Sequence, residues 1–243
     1  MSTINLELTV GEIAAQWPAS IRVFERHHID FCCGGKSPVI DACRARGLDA
    51  GAVFEEIDAE LARETTASGA DDAGWRTASL ESLIDHILST HHAYLKTQLP
   101  RMAAIMDKVL AKHGARHGDV LEPLAVTLFA MREELESHLM KEEMILFPLI
   151  RKMEDARRTG QPFAGNHCGS VENPIRVMVA EHDSAGEGLA RMRQLTGGFT
   201  PLEDACHTFR GLYYELGVLE ADLHRHIHLE NNILFPRAVA LER

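Results

Sequence analysis

Aromatic residues are scarce in this 243-residue chain, at 6%. β-Branched residues are thin beside Ala, Leu, Glu and Met, a shortage that argues against a sheet-built core and for helices. Positive charge is also short: 25 Lys and Arg against 36 Asp and Glu leave a formal net charge of -11. A protein that grips nucleic acid regardless of sequence needs a basic footprint, so no nucleic-acid partner is expected. No apolar run approaches the roughly 20 residues of a bilayer span, so no membrane partner is expected either. Met1 to Gly11 has no basic stretch leading into an apolar core, which makes the cytoplasm the expected location. The five cysteines, at 32, 33, 43, 168 and 206, are odd in number and do not suggest a disulfide framework. Histidine, by contrast, is abundant, with 14 in the chain. It is the commonest metal ligand, so its place in the helical phase becomes the question to ask.

Thr9-Val-Gly-Glu12 reads as a capping box, and Ile13, Trp17, Ile21 and Phe24 follow near helical period. That helix is expected to end at the paired glycines of His27-His-Ile-Asp-Phe-Cys32-Cys33-Gly34-Gly35-Lys36, with a second helical stretch over 37–63. The residues after it are rich in Thr, Ser, Ala, Gly and Asp without periodicity. This divides the chain into a small helical N-terminal domain at 1–64, a linker at 65–78 and a larger domain at 79–243. The larger domain holds four periodic segments, about 79–112, 123–153, 174–195 and 201–241, with Pro123, Pro174 and Pro201 suited to first turns. Thr200-Pro-Leu-Glu203 reads as another capping box. Four long helices with modest connections predict an all-α four-helix bundle.

The bundle carries an internal duplication. His138-Leu-Met-Lys-Glu142-Glu-Met-Ile-Leu-Phe-Pro148 and His226-Ile-His-Leu-Glu230-Asn-Asn-Ile-Leu-Phe-Pro236 share H-x-x-x-E, then Leu-Phe-Pro at the same distance. A His and a Glu four apart lie one turn apart on one helix face. Three, seven and ten residues before His138 come Leu135, Met131 and Leu128; before His226 come Leu223, Leu219 and Leu216. Ile145 and Ile233 follow seven residues after. Each histidine therefore falls on the stripe that faces the core. His182 keeps the same phase with Met178, Ala185, Leu189 and Met192, and His92 with Leu88, Leu95, Leu99 and Met102, whereas His91 matches poorly.

A buried carboxylate costs several kcal/mol unless a positive partner meets it. Four inward imidazoles and two inward carboxylates are too many for one tetrahedral zinc and suit two metals. Mixed imidazole and carboxylate ligation on a bundle points to iron, with manganese second, and with an oxygen from solvent as a bridge. The competing reading is a structural duplication of buried His–Glu pairs, which must then satisfy all six groups by hydrogen bonds.

These residues resemble the haemerythrin-like di-iron fold. With Asp30-Phe-Cys32-Cys33-Gly-Gly-Lys36 they resemble more specifically the repair-of-iron-centres family, over nearly the whole chain. The bundle matches at Ile84-Asp-His86 through His92, at 138–143, at Glu181-His182-Asp183 and at 226–236. The resemblance implies two iron ions per chain, oxo- or hydroxo-bridged, on His92, His138, Glu142, His182, His226 and Glu230. It also implies restoration of iron–sulfur clusters damaged by nitric oxide or peroxide, through iron delivery or nitric oxide reduction at the di-iron site. Iron–sulfur proteins would be the clients, nitric oxide or oxygen the small ligands, and a homodimer through the N-terminal module the assembly. Haemerythrin oxygen carriers use five histidines against four inward ones here, which argues against simple oxygen carriage.

Cys32 and Cys33 are adjacent, and a disulfide between them would be strained and easily reduced. As thiols near Lys36 they are candidates for redox chemistry or for taking up iron or nitric oxide; equally they are two small buried hydrophobes. The resemblance favours function, and Gly34 and Gly35 would turn the backbone so as to expose the sulfurs. Carboxylates matching Glu134 and Glu181 line a path to the metals in the family; the alternatives are a hydrogen bond to a ligand and a solvated face. His224 and His228 are expected at the surface, and Cys43, Cys168 and Cys206 as bystanders. His27, His28, His86, His91, His113, His117, His167 and His207 show no converging partner in the sequence, and Arg151 to Arg158 reads as a solvated helix end. The competing functions are a haemerythrin-type oxygen or nitric oxide sensor, in which the two thiols are dispensable, and a ferritin-type iron oxidase or store.

Overall fold

The computed structural model describes residues 7–64, 74–163 and 169–242. Within them the chain is helical apart from turns and one isolated antiparallel bridge between Thr9 and Pro38. Most of the expected linker, 65–73, and also His167 and Cys168 lie outside the described residues. The protein forms two compact units, residues 84–223 and residues 1–83 with 224–243.

The 84–223 unit holds the body of the bundle. Helix α5 (Leu80–Ile87) passes through a π turn at Leu88–His92 into α6 (Ala93–Lys141). A second π turn, Glu142–Leu146, leads into α7 (Phe147–Thr159), and α8 (Glu172–Leu195) and α9 (His207–Leu229) follow. The expected break at 113–122 is a single kink instead. His117 leaves helical geometry at φ -126, ψ 27, and the residues on both sides stay helical. Pro123 is thus inside α6 rather than opening a helix. It lies six residues past the kink, so the N–H it lacks removes only an early rung. Pro201 also opens nothing, since α9 begins at His207. Arg210 explains why: its guanidinium donates to the carbonyls of Ala205, Leu202 and Glu203 and holds that stretch as a turn.

The inward stripes read from the sequence do form the core. Leu99, Met102, Leu128, Met131, Leu189, Met192, Leu216 and Leu219 are all buried together. The phase slips within the π turns, which add a residue to a helical turn: Leu88 is half-buried, while Ile233 stays buried as expected. Ile145, expected inside, is 40% exposed, and its neighbour Leu146 is buried in its place.

In the other unit, Thr9 caps α1 (Val10–Gln16) with the expected box: its hydroxyl accepts from the Glu12 N–H, and Glu12 accepts from the Thr9 N–H. The single helix expected next is two, because the chain turns at Trp17–Ala19 before α2 (Ser20–Arg26). His28, at φ 52, turns the chain after α2, ahead of the glycines. Helices α3 (Val39–Ala45) and α4 (Ala50–Glu64) follow, parted at Gly47, whose φ of 68 suits a residue without a side chain. This unit also contains a third π turn, Glu230–Leu234, and α10 (Phe235–Leu241). Ile13, Phe24, Phe31, Val39, Ile57 and Ile227 share its core.

Candidate metal centre

All three π turns contain a residue chosen as a ligand from the sequence: His92, Glu142 and Glu230. In the 84–223 unit, Glu142 is fully buried and its two oxygens face different imidazoles. Oε2 lies 3.3 Å from His92 Nε2 and Oε1 lies 3.4 Å from His138 Nε2. His182 Nε2 is 3.1 Å from His138 Nε2. The donor atoms of His138, Glu142 and His182 lie within 4.8 Å of one another.

The far nitrogens decide what this arrangement is for. His92 Nδ1 is 2.8 Å from Glu143 Oε1, and His138 Nδ1 is 2.8 Å from Glu181 Oε2. A carboxylate only accepts, so each Nδ1 carries a proton, and the neutral imidazole then has its lone pair on the inward Nε2. Those lone pairs converge on a carboxylate that is itself all lone pairs. Such a donor set repels itself unless cations sit among it, and imidazoles backed by carboxylates are the usual ligands of a transition metal. The residues present therefore fit a metal. The backing carboxylates are kept ionised: burial pushes Glu143 up, but Lys96 and His92 outweigh it and hold it below the usual range. Glu181 behaves alike, with Lys141 and His138 outweighing its burial.

In the other unit, His226 and Glu230 stand one turn apart and buried, with His226 Nε2 3.2 Å from Glu230 Oε1. Directly after Glu230, Asn231 and Asn232 hold the Cys32 loop. Asn231 Nδ2 donates to the Cys32 carbonyl at 3.5 Å, and Asn232 Nδ2 donates to the Phe31 carbonyl at 3.0 Å. The glycines matter here through close approach, since neither Gly34 nor Gly35 has a positive φ. A side-chain carbon on Gly35 would stand 2.8 Å from the Phe31 carbonyl oxygen, and one on Gly11 would stand 2.4 Å from Asn232 Oδ1.

The loop does not expose both sulfurs. Cys32 is buried at 4% exposure and Cys33 is half-buried; the sulfurs stay unbridged, 3.8 Å apart. Asp30 Oδ1 accepts from both backbone N–H groups at 3.0 Å and from Cys32 Sγ at 3.3 Å. The hydrogen bond to Cys33, burial, and the Asp30 charge together push the Cys32 thiol well above its ordinary value. Lys36 is exposed.

Several histidines depart from expectation. His91 is buried alongside His92, because the π turn brings both inside, and its Nδ1 meets Asp222 at 2.9 Å. His228 is buried rather than at the surface. Phe31 packs edge-on against its ring and Asn232 Nδ2 lies 2.9 Å from its Nδ1, so desolvation lowers it to about 4. His224 is half-buried on the same Phe31 ring. His27 pairs with Glu56, His113 with Cys206, and His117 with Asp204. Glu143 is the residue the sequence reading left without a role; its only signal was its place beside Glu142.

A cleft of about 940 Å³ opens between α6 and α8, with His138 and His182 in its lining beside Glu134, Glu181, Lys141 and Arg176. Glu134 is exposed and accepts from the Ser184 hydroxyl at 3.1 Å. Glu181 does two things there, backing His138 and facing the cleft.

Comparison with known proteins agrees with this chemistry. Residues 6–61 match a domain of unknown function found at the N-terminus of ScdA (DUF542), and residues 83–238 match the haemerythrin HHE cation-binding domain. The chain is 38% identical over 232 residues to the iron–sulfur cluster repair protein YtfE of Yersinia pseudotuberculosis serotype IB (strain PB1/+), covering 95% of this chain and 96% of that one. YtfE of Yersinia pestis (strain Pestoides F) matches to the same extent. No helix among the described residues is long and apolar enough to cross a membrane. A haemerythrin-type bundle behind a vicinal-cysteine module, matched at that identity over 95% of its length, belongs to the repair-of-iron-centres family.

Proposed function

We propose that this protein repairs iron–sulfur clusters damaged by nitrosative or oxidative stress, using two iron ions held by His92, His138, Glu142, His182, His226 and Glu230. The observation that carries the reading is Glu142, whose two oxygens meet two imidazoles already protonated on their far nitrogens. The inclusion of His226 and Glu230 is supported by the sequence phase, which puts His226 on the stripe of Leu216, Leu219 and Leu223 with Glu230 one turn on. Iron there would supply electrons and Lewis acidity to a small ligand. The chain's own part is to fix the imidazoles through Glu143 and Glu181 and to leave a cleft through which nitric oxide, oxygen or iron passes Glu134 and Glu181. In this reading residues 1–64 are the thiol-bearing module, 65–78 the linker and 79–243 the iron-holding bundle. The protein works in the cytoplasm as a homodimer on iron–sulfur client proteins.

One observation favours a second reading, a haemerythrin-type binding protein without repair. Cys32 is held as a buried thiol beside Asp30, which suits a packing role. One measurement tests the iron site that both readings share, and a second separates them. Metal analysis after iron-replete expression should give two irons per chain, and Glu142→Leu should lose most of that iron while its circular dichroism stays helical. Reactivation of a nitrosylated cluster enzyme should then fall for Cys32→Ala/Cys33→Ala with iron retained. Equal reactivation removes the thiols from the mechanism, and no reactivation by the iron-loaded wild type leaves only the binding reading.

A further inference from the structure

The Cys32 loop gathers three donors that the bundle ligands do not include. Asp30 offers a carboxylate oxygen, Cys32 and Cys33 a sulfur each, and these atoms all lie within 4.8 Å of one another. The sulfurs are unbridged and 3.8 Å apart, and Cys32 Sγ is 3.3 Å from Asp30 Oδ1. Around a tetrahedral ion with bonds of about 2.3 Å to sulfur and about 2.0 Å to oxygen, two sulfurs stand about 3.8 Å apart, and a sulfur and an oxygen about 3.5 Å. The loop thus already holds its donors at the spacing that one ion requires.

The surroundings fix that spacing and leave it reachable. Asp30 Oδ1 accepts from the Cys32 and Cys33 N–H groups, which sets the orientation of the carboxylate over the pair. Gly34 keeps room beside it: a side-chain carbon there would stand 3.1 Å from both Asp30 Cγ and Oδ2. Asn232 anchors the loop from below through the Phe31 carbonyl, at 3.0 Å. Asp30 is exposed and Cys33 half-buried, so an ion arrives from solvent. Without a cation, three crowded acids keep their protons: the Cys33 hydrogen bond, burial and the Asp30 charge all push the Cys32 thiol upward. A divalent cation inverts this logic. It displaces the thiol protons and turns the carboxylate from a repelling neighbour into a ligand.

We propose that Asp30, Cys32 and Cys33 form a metal site, distinct in its donors from the bundle ligands, that takes one thiophilic divalent cation of the zinc class. Two S–H bonds break, two metal–sulfur bonds form, both protons go to solvent, and no electron changes hands. Three protein donors leave a fourth position to water, the pattern of a site that exchanges its ligand rather than of a closed structural one. The site stands whether or not the bundle carries iron.

The test titrates Co²⁺ without oxygen into the iron-loaded full chain with its thiols reduced. It reads the sulfur-to-cobalt charge-transfer band, which imidazole and carboxylate ligands cannot give. One equivalent should saturate the band, and Zn²⁺ should erase it by displacing the cobalt. Cys32→Ser and Cys33→Ser should each lose it, whereas Cys206→Ser should keep it. Asp30→Asn retains an oxygen to cap the loop but not the charge. It should raise the cobalt Kd by at least the about 10-fold that even a hydrogen-bond partner of a ligand is worth. Because two protons leave, affinity should rise about 100-fold per pH unit between about pH 6 and 8. Absence of the band at stoichiometric cobalt, its survival in Cys32→Ser and Cys33→Ser, its loss in Cys206→Ser, an unchanged Kd in Asp30→Asn, or a pH-independent affinity would each overturn the proposal. Iron content of the same samples reports separately on the bundle, so failure of either site is seen by itself.

Discussion

Cys32 and Cys206 are the same residue in opposite surroundings. Cys32 sits in the motif that draws the eye, between an aspartate and a second cysteine, buried to 4% exposure. Its neighbours hold the proton on. Cys206 sits in no motif, but a helix N-terminus, an imidazole and a nearby lysine take its proton away and draw it to about 7. A vicinal pair in the sequence marks where thiols are, whereas the third dimension decides which one is ionised. The same contrast explains the metal centre. The carboxylates of Glu143 and Glu181 fix a proton on the far side of an imidazole, as a metal-binding imidazole requires; the carboxylate of Asp30 holds a proton on a thiol.

The largest effect that sharpens this contrast lies at the imidazoles. Glu143→Ala and Glu181→Ala each remove the acceptor that orients a ligand, and each should weaken iron binding about 10- to 100-fold. Competition with a chromophoric chelator reads this, and unchanged affinity in both would mean that the backing carboxylates are ornamental. The Cys32 loop comes next. Gly35→Ala forces a carbon against the Phe31 carbonyl oxygen and the Asn232 side chain, and should cost about 1–3 kcal/mol, or a few degrees in Tm. The same variant should speed alkylation of Cys32 and leave Cys206 alone. Smaller again, Asp30→Asn keeps the oxygen that caps the loop and removes its charge. Cys32 should then alkylate about 2- to 5-fold faster at pH 8, the Cys33 bond and burial still restraining it. No change at Cys32 would assign its suppression to those two alone.

Much of this was legible along the chain because it is local or periodic. Thr9 and Glu12 are three apart, and the leucine and methionine stripes that pick out His92, His138, His182 and His226 need only the period of a helix. What the period could not foresee is where it changes. The π turns at Leu88–His92 and Glu142–Leu146 bury His91 beside His92 and turn Ile145 out. Pairings between distant residues were equally out of reach. His92 finds Glu143 from 51 residues away, His113 finds Cys206 from 93, and Phe31 covers His228 from the other end of the chain. Glu143 stood next to an assigned ligand without a role, because adjacency on a helix points two side chains in different directions.

The smallest effect tests the comparison through stability alone. The folded protein holds the Cys206 thiol at about 7 against an ordinary value of 9.0, so folding favours the anion. A group depressed in this way stabilises fully above its unfolded value and loses that contribution as the pH falls through the folded one. Between pH 7 and 9 the wild type should therefore gain Tm relative to Cys206→Ser, whose hydroxyl does not titrate in that window. Below pH 7 the two melting curves should run parallel. Cys32→Ser should behave in the reverse sense: the folded state raises that thiol, so its burial costs stability once the unfolded thiol ionises, and the wild type should lose ground above pH 9. Parallel curves for both variants across pH 6 to 10 would show that the two environments differ in geometry only and not in the charge they favour.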